Sequence, residues 1–216
     1  MSRAGTIADP AAMRSPDLVQ RDFSTDRPDA LWLADFTYLR CWEGLVFFSF
    51  VIDAFSRRIV GWQFASHMRT DRVLDALRMA LTRRQHGADV ELIHHSDAGS
   101  QYTSYAFNQV LDDHGVLASI GSVGDASDNA LAESFVDSFK TELIRDRAWQ
   151  TRSQLALAIV EYVAWFNATR ATVRRPKRRH STPAGTFWLP LSINEKRGPP
   201  KPVSAEPSPA QSRAWI

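Results

Sequence analysis

The sequence contains a single cysteine, Cys41, among 216 residues. One thiol excludes an internal disulfide framework and a cysteine-based zinc site, and it is typical of proteins of the reducing cytosol, so we expect a cytoplasmic protein. Long apolar runs are also missing: the longest, from Leu45 to Ile52, is far too short to cross a bilayer. The N-terminus lacks the apolar stretch of a signal peptide. These absences argue against a membrane partner.

An excess of charge of one sign is missing too, since the formal net charge is only +2. The distribution of charge is more informative, because residues 170–179 hold six cations and no acid. Such a block favours an anionic partner, with nucleic acid first among the candidates, although a solvated basic tail is the alternative. The predicted phosphate contacts in this block are Arg170, Arg174, Arg175 and Lys177.

The chain divides into four parts by composition. Residues 1–28 carry turn formers and charges without periodicity and are predicted to be an extended lead-in, and residues 29–170 form the folded core. Residues 171–188 are a basic extension, and residues 189–216, rich in Pro and Ser, are predicted to be disordered. We expect the aromatic-rich body to pack as a core, with a base-stacking platform as the alternative. The tryptophans concerned are Trp32, Trp42, Trp62 and Trp165.

Periodicity within the core predicts the order β-β-β-α-β-α-β-α-α. The first three strands, within 31–39, 45–52 and 58–64, are joined by short turns and indicate an antiparallel meander. Strands then alternate with helices, and Asp128 is placed to cap the third helix. This order predicts an α/β fold with a mixed five-stranded sheet flanked by helices.

Three carboxylates stand at the edges of these elements. Asp35 interrupts the first strand, Asp97 follows the fourth, and Glu133 lies in the first turns of the third helix, with 61 and 35 residues between them. Each alone has an ordinary explanation, as a strand-end, turn or exposed helical acid. If the first and fourth strands are neighbours, however, the three acids form an all-oxygen site suited to Mg²⁺ or Mn²⁺. Lys140 shares the helix face of Glu133 and either contacts DNA phosphate or lies on a solvated face.

Four motifs around these residues resemble the catalytic core of bacterial insertion-sequence transposases of the OrfB type, which are related to retroviral integrases. The motifs are WLADFTYL, VIDAFSRRIVGW, HSDAGSQYTS and SDNALAESFVDSFKTEL, in that order, and the likeness covers residues 18–170. The resemblance implies a ribonuclease-H-like fold and a DDE site in which Asp35, Asp97 and Glu133 hold two Mg²⁺ ions. It further implies cleavage at the ends of a mobile element and joining of those ends to target DNA.

The resemblance also suggests roles for residues around the acids. Gly99, Gln101 and Tyr102 would shape the loop after the second aspartate, and Gln101 and Tyr102 are candidate DNA contacts. Ser96 and Asn129 would orient the acids by hydrogen bonds, with turn and cap roles as alternatives. Lys140 would contact the transposon end. The implied partners are DNA, further copies of the chain assembled on it, and a transposase subunit from an upstream reading frame.

The chain also departs from the family pattern. Ala98 stands where a cation or Gln is common, a basic stretch is inserted after Asn167, and the family's N-terminal helix-turn-helix region is not found before Leu31. Two alternatives to a transposase therefore stay open: a non-catalytic DNA-binding remnant, and a ribonuclease-H-like nuclease.

Overall fold

A computed structural model describes residues 15–67, 70–84, 91–121 and 129–169 of the chain. Within these ranges lie five strands: β1 Leu31–Cys41, β2 Gly44–Asp53, β3 Ile59–Ala65, β4 Leu92–Ser96 and β5 Val116–Ile120. The same ranges hold four helices, α1 Thr70–Arg84, α2 Tyr105–Asp113, α3 Ala130–Phe139 and α4 Arg152–Thr169, and α3 continues into a π-helical segment, Lys140–Ile144. The predicted element order is confirmed.

The strands form one mixed sheet with the order β3-β2-β1-β4-β5. The three consecutive strands pair antiparallel, whereas β4 and β5 run parallel to β1 because each follows a helical crossover. A five-stranded mixed sheet of the ribonuclease-H type was predicted and is confirmed. Within the described residues, no helix is long and apolar enough to span a membrane.

Side chains of β1 alternate between two hydrophobic layers. Leu31 and Leu33 pack in the layer that contains α3 and α4, whereas Trp32 and Ala34 pack in the layer that contains α1 and α2. This period of two is the geometry of a strand with both faces covered. Asp35 comes next on the face of Leu33, so its position under a helix follows from the alternation.

Two local predictions need correction. The N-cap residue of α3 is Asn129 rather than Asp128, and its side chain makes no capping bond because it is engaged with β1 instead. Trp42 was predicted to be core, but it is 76% exposed in the β1–β2 turn, beyond the part of the sheet that helices cover. By contrast, Trp32 is fully buried, and Trp62 and Trp165 are partly buried.

The lead-in lies against the far edge of the sheet in its described part. The backbone N–H of Leu18 donates to Ser119 Oγ over 2.9 Å, and Val19 is buried. The rest of the lead-in, the basic extension with its four candidate phosphate contacts, and the Pro-rich tail lie outside the described residues.

Close packing of α1 on β3 depends on Gly61. A Cβ atom at this position would lie 2.0 Å from Ala76 O and 2.8 Å from Ala80 N, both backbone atoms that cannot move independently of the helix. We therefore expect Gly61→Ala to lower the free energy of unfolding by about 3 kcal/mol or more in urea denaturation.

Gly115→Ala provides a matched control for this prediction. Gly115 has φ +64° and nothing near its missing Cβ, so alanine there adds only the backbone cost of about 1–2 kcal/mol. Equal losses in the two variants would contradict the packing argument.

Candidate active site at the ends of β1 and β4

The pairing of β1 with β4 brings two of the three acids to one place. The parallel register matches Leu33 with His95 and Ala34 with Ser96, and the ladder ends there. Continued by one step, the same register would set Asp35 beside Asp97. Neighbouring parallel strands lie about 4.8 Å apart, so we expect the two carboxylates to be near each other, and the charge of Asp97 does raise the pKa of Asp35.

Asp35 is partly buried, and its surroundings disfavour its charge. Burial raises the pKa of the carboxyl to about 7, and the charges of Asp97 and Glu133 push it in the same direction. The Phe36 backbone N–H, which donates to Asp35 Oδ1 over 2.7 Å, and the charge of Lys140 act in the opposite sense. Asp35 is therefore a carboxyl that gains little from its present partners and would gain from a cation.

Asp97 stands more exposed, at the start of the loop after β4. The protein around it still displaces part of its water and raises its pKa, while the Gly99 N–H, donating to Asp97 Oδ1 over 3.2 Å, lowers it. A Cβ on Gly99 would lie 3.0 Å from Asp97 Oδ1 and 3.2 Å from Gln101 Oε1. Glycine thus lets the loop fold closely around this carboxylate.

Glu133 approaches from α3, whose start is fastened to β1. The Asn129 side-chain amide donates to the backbone carbonyl of Ala34 over 3.1 Å, and both residues are buried. Because Ala34 precedes Asp35, this bond sets the first turn of α3 against the strand that carries the first acid. Glu133 itself is exposed one turn into the helix.

Lys140 begins the π-helical segment, two turns beyond Glu133. Its Nζ lies 5.5 Å from the centre of the Tyr38 ring, a cation–π contact, and its charge lowers the pKa of Asp35. The π-helical backbone, in which the Arg145 N–H donates to Lys140 O over 2.9 Å, adds a residue to the turn; π segments recur at functional sites.

The three acids influence one another but do not form a closed ligand set. Across residues 15–67, 70–84, 91–121 and 129–169, no three His, Cys, Asp or Glu side chains lie close enough together to hold a metal ion. Like charges without a cation repel one another, which opposes convergence of their oxygens. The assignment of Asp35, Asp97 and Glu133 as metal ligands therefore stays a prediction.

The prediction that Tyr102 contacts DNA is wrong, because its side chain is only 1% exposed. Its ring stacks on Phe36 and meets Phe107 edge to face, and its hydroxyl has no hydrogen-bond partner among the described residues. Burial, together with the charges of Asp35 and Asp97, raises the pKa of this hydroxyl, so it stays neutral. Tyr102 thus supports the floor of the site, whereas Gln101 beside it is partly exposed.

Tyr38 is a residue that the sequence analysis passed over. Tyr38 is 58% exposed and lies three residues beyond Asp35 on the same strand. The Lys140 ammonium lies over its ring. Its signal in the sequence was strand alternation, since Tyr38 and Arg40 fall on one face and Thr37 and Leu39 on the other.

Known protein families match the chain over the region that holds these acids. Two family models described as integrase core domain match residues 25–126 and 133–185, so they span all three acids. The chain belongs to the integrase core domain family. The predicted resemblance to insertion-sequence transposases is thereby confirmed.

Several relatives of this integrase core chain are transposases by name. It is 47% identical over 173 residues to the protein named as transposase for insertion sequence element IS986/IS6110 in Mycobacterium tuberculosis, covering 78% of this chain and 62% of that protein. It is 46% identical over 163 residues to the transposase for IS629 of Shigella sonnei, covering 76% of this chain and 54% of that one. The chain thus spans less than two thirds of the length of these relatives.

A solved structure shares the fold at much lower sequence identity. A chain of the simian T-cell lymphotropic virus intasome, determined in complex with PP2A regulatory subunit B56 gamma, superposes with a TM-score of 0.56. The two are 14% identical, and the match covers 90% of this chain and 69% of that one. This likeness supports the integrase-type fold.

The raised pKa of Asp35 predicts a pH-dependent stability in the absence of metal. An aspartate of the unfolded chain titrates near pH 4, about three units below the folded carboxyl, so the unfolded state loses its proton first. The contribution of Asp35 to the free energy of unfolding is therefore fully present below about pH 4 and is lost as the pH rises to about 7. Asp35→Asn removes this loss. We therefore expect its free energy of unfolding at pH 8 to exceed that of the parent chain by about 2 kcal/mol.

Urea denaturation with a chelator present, at pH 4.5 and pH 8, measures the difference. The gain from Asp35→Asn should shrink toward zero at the lower pH. Asp137→Asn, which changes an exposed acid on α3, is the control and should show little difference at either pH. A parent chain as stable as Asp35→Asn at pH 8 would contradict the electrostatic account.

Proposed function

We propose that this chain is the catalytic core of an insertion-sequence transposase, which cleaves DNA at the ends of a mobile element and joins the freed 3′-hydroxyl to target DNA. The observation that supports the proposal is the register of β1 with β4, which pairs Ala34 with Ser96, the residues just before Asp35 and Asp97, while the charges of Asp97 and Glu133 raise the pKa of Asp35. Membership of the integrase core domain family supports it.

The donor atoms suit a hard divalent cation. Asp35, Asp97 and Glu133 offer only carboxylate oxygens, which favour Mg²⁺ or Mn²⁺, and the raised pKa of Asp35 reflects negative charge that a cation would offset. Two such ions held there would activate the attacking oxygen and stabilise the leaving one in an in-line displacement.

The residues around the acids would orient them and the DNA. Asn129 keeps α3 against β1, and Gly99 allows the loop to close around Asp97. Lys140, two turns beyond Glu133 and within electrostatic reach of Asp35, would hold a phosphate next to the reacting one. The partners in this proposal are element-end and target DNA, and a homo-oligomer, since two ends must be held together.

A strand-transfer assay with oligonucleotides that carry the element ends, in Mg²⁺ or Mn²⁺, tests the proposal. We expect Asp35→Asn, Asp97→Asn and Glu133→Gln each to lower the rate by at least about a hundredfold, because each removes a metal ligand. Asp137→Asn, on the same helix as Glu133, is the matched control and should retain activity.

Product analysis separates this proposal from its alternatives. Hydrolysis without any joining would indicate a ribonuclease-H-like nuclease. Metal-independent DNA binding without cleavage would indicate a binding remnant. Full activity in Asp97→Asn or Glu133→Gln would reject the assigned site.

A further inference from the structure

The far half of β1 presents a face of aromatic and basic side chains that none of the described helices covers. Tyr38 is 58% exposed and Arg40 is exposed on the same face, and Trp42 follows in the turn at 76% exposure. Across the β1–β2 ladder, Phe47 pairs with Tyr38 and Leu45 with Arg40, so these two share that face. We call this surface the sheet-end platform; it consists of Tyr38, Arg40, Trp42, Leu45 and Phe47.

This face is open because the cover of the sheet ends early. β4 pairs with β1 only as far as Ala34, and the aromatic packing of the α2 side reaches Phe36, which stacks on Tyr102. Beyond that point, Tyr38 and Trp42 are among the most exposed large hydrophobic side chains of the described residues. Exposure of large aromatic rings costs solvation free energy, so a cluster of them indicates a surface that binds something.

The charge around the platform favours an anion. In the sequence, Arg40 falls between Tyr38 and Trp42, whose rings are exposed, and Lys140 Nζ lies 5.5 Å from the centre of the Tyr38 ring. Glu43 is the only acid between Asp35 and Asp53 in the sequence, and its carboxylate accepts the backbone N–H of Arg152 over 2.9 Å at the start of α4. Exposed rings interleaved with cations are the composition of surfaces that stack bases and hold phosphates.

The platform is continuous with the candidate active site. Asp35 and Tyr38 lie on opposite faces of β1, three residues or about 10 Å apart along the strand. Because β4 has ended, none of the described strands pairs with the β1 edge between them, and the Lys140 side chain reaches the Tyr38 ring from the π-helical segment. At about 3.4 Å per stacked nucleotide, some three nucleotides would cover that distance.

We propose that the sheet-end platform binds an unpaired DNA strand next to the carboxylates, with bases stacked on Tyr38 and Trp42 and phosphates held by Arg40 and Lys140. The proposal rests on the proposed function, since it supplies the DNA whose end the carboxylates would act on. It adds that the end is held as a separated single strand, on rings that accept any base.

The test is a fluorescence-anisotropy titration of a labelled oligothymidylate with the full chain, in chelator so that no cleavage occurs. Tyr38→Leu and Trp42→Leu should each weaken binding by about five- to a hundredfold, the usual loss of one stacked base. Tyr38→Phe keeps the ring and should retain affinity. Arg40→Gln should reduce the slope of log affinity against log salt by about 0.7, the value for one phosphate of a single strand.

Tyr105→Leu is the matched control, because Tyr105 is 82% exposed but lies on α2, which packs against β5. Its removal should leave affinity unchanged. Thermal unfolding of each variant checks that the fold is retained, and Tyr38→Phe, which keeps the packing, gives the comparison should Tyr38→Leu prove unstable.

Three outcomes would overturn the proposal. One is wild-type affinity in Tyr38→Leu and Trp42→Leu, and another is equal weakening by Tyr105→Leu. The third is a loss of self-association in analytical ultracentrifugation, with DNA affinity unchanged, since the face would then be an interface between copies of the chain.

The two proposals can fail separately. Asp97→Asn in the same titration should bind the oligonucleotide at least as tightly as the parent chain, because it removes a negative charge near the DNA, while losing strand transfer. Strand transfer that survives Asp97→Asn would reject the catalytic assignment and leave the platform result standing, whereas unchanged binding in the ring variants would reject the platform alone.

Discussion

The short parallel ladder between β1 and β4 is the constraint on which the candidate site depends. It pairs four residues of each strand and stops at Ala34 and Ser96. Up to that point the backbone groups satisfy one another and both faces are covered by helices. Past it the strands separate, and the first residue of each beyond the ladder is an aspartate. The two aspartates thus follow directly on a paired and buried part of the sheet, where Asp35 is partly buried and Asp97 is exposed.

Electrostatics explains why such an arrangement is unfavourable without a partner. Asp35 is partly buried beside two other negative charges, and its pKa of about 7 measures how poorly its surroundings support ionisation. Lys140 offsets part of this from α3, and the Asn129 bond to Ala34 prevents α3 from moving away. A fold that retains this repulsion gives up stability at a place where a bound cation can recover it.

Much of the fold could be predicted because it depends on local pattern. Apolar alternation in β1 and β2 and the helical spacing of Phe135, Phe139 and Leu143 each specify an element and its buried face. The three acids were identified as a group through their motifs and spacing. Tyr102 and Trp42 were assigned the wrong environments, because burial of an aromatic ring is decided by which element covers it, and that is not a local property.

The sequence by itself determined the element types, the face on which each acid lies, and the chemical character of the donor atoms, because those properties follow from side-chain identity and backbone period. Only the tertiary structure decided that β4 would lie beside β1 and stop at Ser96. That arrangement pairs the residues just before Asp35 and Asp97, buries Tyr102 and leaves Tyr38, Arg40 and Trp42 exposed. The physical reason is that strand order and ladder length arise from contacts between residues far apart in the chain, which no local pattern encodes.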